Sequence, residues 1–433
     1  MAVRKSVPST WCKRKVPPAD GTVDVIVKLG GAAITVKDGE PDTPNLDALK
    51  TCCWEIANAV NTHGRTTSPR DYDEQYLKMI IVHGAGSFGH PQAKEYGVAN
   101  GGDVDGNARL KEGIEKTKTS VRKLCKLVCD ELSERCHRYY DSDDSDGYPK
   151  SYGWMDGWTP DRVAPISPYG KFFTVGKKLN RNLSRTGFDE VRAAVMAGKV
   201  PVLHGDVVRD SEQGCAILSG DTLVECLTEE FKPKRVVFIS DVEGIFTSKP
   251  LHKNGPCDIC PDGTTPPPAL LREIQVKPDG SWVATKAAGP LKYLNDHFPE
   301  DFAYEFVPGS PGHLHRIRAN PEWVDANPEW VFNEALDKLV VKAAVGTTDA
   351  TVSLEDNGDV TGGIKTKVQE AAAIALKGVD VFLTHVPEMN RNGDAILKGD
   401  ADEDDDDYSY TFTHVMMAPG ATEVKTEVKV EPP

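Results

Sequence analysis

The sequence predicts an α/β protein, a three-layer αβα sandwich around a mainly parallel central sheet. Three observations carry this. Short β-branched runs alternate with stretches of helical periodicity, the pattern of repeated βα units. Several of those runs end in glycine, or in a small residue followed by aspartate. The chain has 433 residues, long enough to bury a large core without disulfides or metals to staple it.

Taken in order, residues 1–22 read as an irregular tail, and 23–416 as the folded domain. Val23, Val25, Ile26 and Val27 form a β-branched run that stops at Gly30-Gly31. Residues 45–60 space their apolar side chains as a helix does. Leu77 to Val82 is a second short strand and runs into His83-Gly84-Ala85-Gly86-Ser87-Phe88-Gly89-His90. A long helix is expected over 107–136. An acidic, Gly-rich insertion follows at 141–162. Helices at 185–198 and 221–231 flank a strand at Val200 to Leu203, and Val236 to Ile239 forms another strand. Prolines crowd 252–335, which reads as a long surface insertion with short helical or hairpin pieces. A helix at 363–377, a strand at Val379 to Leu383 and a last strand at 408–416 restore the rhythm. Residues 417–433 read as a disordered tail.

Composition narrows the function. The formal net charge of −15 argues against nucleic-acid binding, which needs clustered Lys and Arg. Part of that acidity is local, in the run from Asp400 to Asp407, where a solvated loop is the simpler reading than a site for a basic partner. No stretch approaches the ~20 apolar residues of a membrane span. The basic N-terminus lacks an apolar core, so a solvated arm is expected rather than a secretory signal. Ten scattered cysteines point to reduced thiols and a cytoplasmic setting. Cys257 and Cys260 make one Cys-x-x-Cys pair, but no second pair follows, so two loop thiols are expected rather than zinc.

The chemistry-bearing segments recur at strand C-termini, where open α/β sheets bind ligands. Lys28-Leu29-Gly30-Gly31 offers a close-approach glycine turn and a cation, with Lys37 beyond it. Alone, it is equally an ordinary turn beside a surface lysine. The His83–His90 segment fits an anion-cradling loop, yet it is neither a Walker A loop nor a dinucleotide fingerprint. Its closing His90 can donate to a bound phosphate, and adds charge when protonated. His204-Gly205-Asp206, Ser219-Gly220-Asp221 and Ser240-Asp241 each put a carboxylate at a strand end or helix start. Any one alone could be an N-cap. Thr361-Gly362-Gly363 opens a helical stretch carrying Lys365 and Lys367.

These blocks, in this order, resemble the amino-acid-kinase family, and Gly-Ser-Phe-Gly-His resembles its isopentenyl phosphate branch. Ala32 stands where archaeal members usually have serine. The likeness covers about 23–250 and 340–385. It implies an amino-acid-kinase-like fold with 23–205 mainly on the phosphate-acceptor side and 206–416 mainly on the nucleotide side. The implied activity is ATP-dependent phosphorylation of isopentenyl phosphate with Mg2+, in a homodimer. The resemblance further implies roles for single residues. Lys28, Gly30, Gly31 and Gly86 would contact ATP, and Lys28 and Lys37 would stabilise the transferring group. Ala85 and Gly220 would border the acceptor, an isoprenoid monophosphate, and His90 would bond its phosphate. Asp241, Gly363 and Lys367 would lie on the nucleotide side, with Lys367 preferred to Lys365 for its spacing from Gly363.

Overall fold

The computed structural model describes residues 21–36, 39–62, 77–137, 160–242, 244–246, 270–280, 282–288, 330–333, 338–341, 363–386, 389, 396–397 and 413–418. Lys37, the 141–159 part of the first insertion, Cys257, Cys260, Asp400 to Asp407 and nearly all of both tails lie outside these residues.

The chain opens with β1 (Val25–Leu29), the single turn α1 (Gly31–Ile34) and α2 (Leu46–Thr62). β2 (Met79–His83) leads through a 3₁₀ turn at Gly86–Phe88 into α3 (His90–Glu95) and α4 (Ala108–His137). Next come β3 (Val163–Pro165), β4 (Phe173–Val175), β5 (Lys178–Leu179) and α5 (Arg185–Met196). β6 (Val200–His204), β7 (Asp206–Asp210), β8 (Gly214–Leu218), α6 (Gly220–Phe231) and β9 (Arg235–Ser240) follow. The rest comprises β10 (Ile245–Phe246), β11 (Leu270–Val276), β12 (Trp282–Ala288), β13 (Trp330–Asn333), β14 (Lys338–Val341), α7 (Gly363–Ala375), β15 (Asp380–His385) and β16 (Thr413–Met417).

The main sheet runs β10-β11-β16-β15-β9-β1-β2-β6-β3, with β12 paired to β11. Its centre, β15-β9-β1-β2-β6-β3, is parallel throughout. β1, β2 and β6 are almost wholly apolar because both faces are covered. Alternate residues serve opposite layers. Ile26, Ile80, Val82 and Leu203 join a core with α5, α6 and α7, while Val27, Ile81 and Val202 join one with α2 and α4. A third apolar cluster gathers Ala93, Val98, Leu110, Ile114, Val207 and Cys215 between α3, α4, β7 and β8.

The Pro-rich stretch contains antiparallel pairs, β11 with β12 and β13 with β14, as the expectation of hairpin pieces had it, but it is not wholly a surface insertion. Leu270–Val276 is a strand of the main sheet, parallel to β16, with Ile274 and Val276 fully buried. The density of prolines in the sequence around this strand hid it. No helix among the described residues is long and apolar enough to cross a membrane.

Candidate active site

Strand register sets the site. Leu29, His83, His204, Ile239 and Thr384 stand level across five adjacent parallel strands. The segments that follow those strands therefore share one edge. From β9 to β6 this edge spans about 14 Å at the usual strand spacing.

Two glycine turns meet at its centre. A Cβ added to Gly31 would sit 2.4 Å from the Gly86 nitrogen, and one added to Gly84 would sit 2.7 Å from the Gly31 nitrogen. Only hydrogen fits between these backbones. Gly86 also holds φ +52°, a conformation L side chains rarely adopt. Thr35 fastens the pair: its hydroxyl donates to Gly31 O (2.7 Å) and accepts from Ser87 N (3.1 Å). The N–H groups of Gly31, Ala85 and Gly86 have no acceptor among the described residues. Unclaimed N–H groups at abutting glycine turns form an anion cradle.

Lys28 shares its sheet face with Ile26 and so points towards α6. Its Nζ lies 2.6 Å from Asp221 Oδ1 and 5.7 Å from the centre of the Phe238 ring. Ser219 caps α6, accepting from Thr222 N (3.0 Å), so Asp221 is not the cap. Its carboxylate is free to hold Lys28. Gly220 faces the His83 carbonyl, 3.4 Å from an added Cβ.

On the other side, Lys367 of α7 donates to Ser240 Oγ at 2.7 Å and lies 3.7 Å from Asp241 Oδ1. Gly30 brings the halves together: it donates to Ile239 O, and a Cβ there would approach Ser240 Cα to 3.5 Å. Gly363 is the first residue of α7.

His90 opens α3, directly after Gly89. Gly89 packs against Val121 of α4, where an added Cβ would reach the Val121 side chain at 2.7 Å. The His90 ring is exposed to solvent, yet surrounding protein desolvates it enough to lower its pKa from the usual 6.5. At neutral pH it is therefore an uncharged donor, not the cation its loop position suggested.

The sequence reading named Lys28, Gly30, Gly31, Ala85, Gly86, Gly220, Asp241 and Lys367, which lie along one edge, and it missed two residues that shape the site, Glu370 and Asp42. In the sequence Asp221 reads as part of a binding site, with an N-cap as the alternative for that carboxylate alone, and its pairing with Lys28 is what the structure adds. Glu370 sits one turn beyond Lys367, so the i,i+3 spacing was a usable signal. Burial, together with the charge of Asp221, lifts the Glu370 pKa to about 7, against the pull of Lys28 and Lys367. Asp42, at φ +61°, accepts from Gln92 (3.1 Å), Lys123 (2.9 Å) and Ser120, and its N–H donates to Ser87 O (3.1 Å). Nothing local in the sequence announces that long-range clamp.

Among the described residues, no group of three or more His, Cys, Asp or Glu is arranged to hold a metal ion.

The sequence profile described as amino acid kinase family matches residues 25–256, more than half of the chain. An isopentenyl phosphate kinase of Arabidopsis thaliana is 29% identical over 401 residues, covering 88% of this chain and 91% of that one. That of Methanothermobacter thermautotrophicus is 31% identical over 231 residues, 52% of this chain and 70% of the relative. Among solved structures, the Thermoplasma acidophilum isopentenyl phosphate kinase product complex aligns with a TM-score of 0.46 at 18% identity, over 91% of this chain and all of that one.

Proposed function

The chain belongs to the amino acid kinase family, on its isopentenyl phosphate kinase branch, and from that premise we propose that it transfers the γ-phosphoryl group of ATP to isopentenyl phosphate. The products are isopentenyl diphosphate and ADP. One observation carries the reading. The Gly31 and Gly84–Gly86 turns abut, the N–H groups of Gly31, Ala85 and Gly86 have no acceptor among the described residues, and His90 stands at the lip of the same loop.

ATP supplies the phosphoryl group to be transferred. The residues fit its phosphates, because Gly30, Gly31 and Gly86 let the backbone turns pack where a side chain would clash, which leaves the Gly31 and Gly86 N–H groups as donors. Lys28 places a cation beside the cradle, and Asp221 holds it there until negative charge arrives. Asp241 and Lys367, joined through Ser240, and Gly363 form the nucleotide side. Lys37, three residues after α1 in the sequence and outside the described residues, is taken as a second cation for the transferring group.

Ala85 and Gly220 border the acceptor phosphate, and His90 donates to it. That phosphate is already ionised near neutral pH, so no strong general base is required. Alignment and neutralisation of developing charge do the work. The apolar cluster of Ala93, Val98, Ile114 and Val207 lies behind α3 and supports an isoprenoid tail on that side. Mg2+ enters as a companion of the nucleotide. Its charge would add to the neutralisation that Lys28 and the glycine-turn N–H groups supply. The working form is taken to be a cytoplasmic homodimer.

An ADP-release assay with isopentenyl phosphate, dimethylallyl phosphate, UMP, glutamate and carbamate tests the reading. Highest kcat/KM with isopentenyl phosphate is expected. Preference for UMP, glutamate or carbamate, or ATP binding without turnover, would overturn it.

A further inference from the structure

His83 and His204 form the floor of the acceptor side. They end β2 and β6, pair in register, and expose 0% and 1% of their surface. Their rings lie 5.4 Å apart at 30°. Both point to the α4 layer, following the alternation of Ile81 and Val202.

Each ring makes the same local contact. His83 Nδ1 lies 3.0 Å from Gly84 O, and His204 Nδ1 lies 3.1 Å from Gly205 O. A carbonyl oxygen only accepts, so Nδ1 must carry the proton in both. Burial keeps the rings neutral, with pKa values lowered to about 3 and about 4. A positive ring here would also face its partner histidine, Arg122 and Lys118 from α4, with Asp206 as the nearby acid.

The consequence lies one bond further on. In a trans peptide the C=O and the next N–H point in opposite directions, and no cis peptide is present. Tying Gly84 O towards the α4 layer turns the Ala85 N–H towards the α6 layer, where Gly220 sits. That N–H has no acceptor among the described residues.

We propose that His83 is a positioning residue whose Nδ1–H fixes the Gly84–Ala85 peptide so that the Ala85 N–H meets the acceptor phosphate, with His204 as its packed counterpart. This deepens the kinase reading above and rests on it for the identity of the acceptor. His83 does not touch substrate; it acts through the peptide it holds.

The test separates donor from bulk. His83→Leu removes the donor, and His83→Asn replaces it, since the Asn amide nitrogen lies near the Nδ1 position. His83→Leu is expected to raise the acceptor KM at least tenfold while leaving the ATP KM within about twofold; Asn should recover most of the loss. An unchanged acceptor KM in His83→Leu, equal losses in both variants, or a parallel rise in the ATP KM would overturn the proposal. Should Leu fail to fold, ring ¹⁵N shifts of the wild-type protein decide the matter: an Nδ1–H tautomer supports it, and an Nε2–H tautomer overturns it. Wild-type protein inactive on isopentenyl phosphate would instead sink the kinase reading. The tautomer result stands apart from that outcome.

Discussion

Lys28 Nζ and Asp221 Oδ1 stand 2.6 Å apart, tying the end of β1 to the first turn of α6. Both side chains are mostly buried, at 16% and 24% exposure. Asp221 Oδ1 makes no hydrogen bond among the described residues, so the contact acts as an ion pair rather than an in-line hydrogen bond. Lys28→Ala is expected to cost about 3–4 kcal/mol of transition-state stabilisation, the scale for losing one charge-stabilising donor. Asp221→Asn, which leaves the cation in place without its holder, should cost less, about 1–3 kcal/mol. Because the two act as a unit, the double variant should be no worse than Lys28→Ala alone. Single-turnover rates at saturating ATP measure all three, and additive losses would show that the pair is incidental.

Asp42 joins three pieces of the acceptor side. It collects side chains from α3 and α4 and bonds the glycine loop through Ser87. Partial burial acts to raise its pKa, but the bonds from Ser120, Lys123 and Gln92 outweigh this and hold it below the usual carboxylate value. Asp42→Ala loses those bonds and puts alanine at positive φ, so a stability loss of about 1–3 kcal/mol is expected. Asp42→Asn tolerates that φ and keeps an acceptor, and should lose less than half as much. Urea midpoints report the difference; an Ala variant as stable as wild type would mean the clamp adds nothing.

What the sequence revealed and what it hid divide along physical lines. β1, β2, β6 and β9 are short apolar runs that stop at glycine or at Ser-Asp, so their existence and ends were legible locally. So was α4, from its long helical period. β11 was not, because the prolines around it signalled breaks while its seven residues gave little periodicity. In the site, Lys28, Gly31, Gly86 and Lys367 lie in recognisable glycine-rich segments. The Asp221 pairing and the Asp42 clamp depend on contacts nearly 200 and about 80 residues apart. Only the folded chain brings those groups together.

His90 gives a prediction about charge. Its lowered pKa means the neutral ring already dominates near pH 7. The acceptor KM should stay level from about pH 7 to 8.5. A rise over that range, tracking loss of an imidazolium, would contradict a neutral donor. His90→Ala should lower kcat/KM for the acceptor by about 10²–10³-fold, whereas Asn or Gln should retain part through a remaining N–H. Wild-type rates in His90→Ala would remove His90 from the site altogether.

Acid stability follows from the buried floor. His83 and His204 titrate near 6.5 in the unfolded chain but are lowered to about 3 and about 4 in the fold. Below about pH 6.5 the unfolded chain therefore binds protons that the native state refuses, and stability falls as pH drops. At about pH 5 each histidine accounts for up to about 2 kcal/mol of that loss. Asp206 opposes them. Burial lifts its pKa from 3.8 to about 7, against the pull of the Val207 N–H, Arg122 and Lys118. Between those values the native state holds a proton that the unfolded chain releases, so Asp206 gains stability as pH falls. Asp206→Asn removes this compensation. Its stability should decline more steeply than that of wild type from about pH 7 to 5, in urea titrations read by tryptophan fluorescence. Parallel pH profiles for the two proteins would show that Asp206 is ionised in the fold, contrary to its burial beside His204.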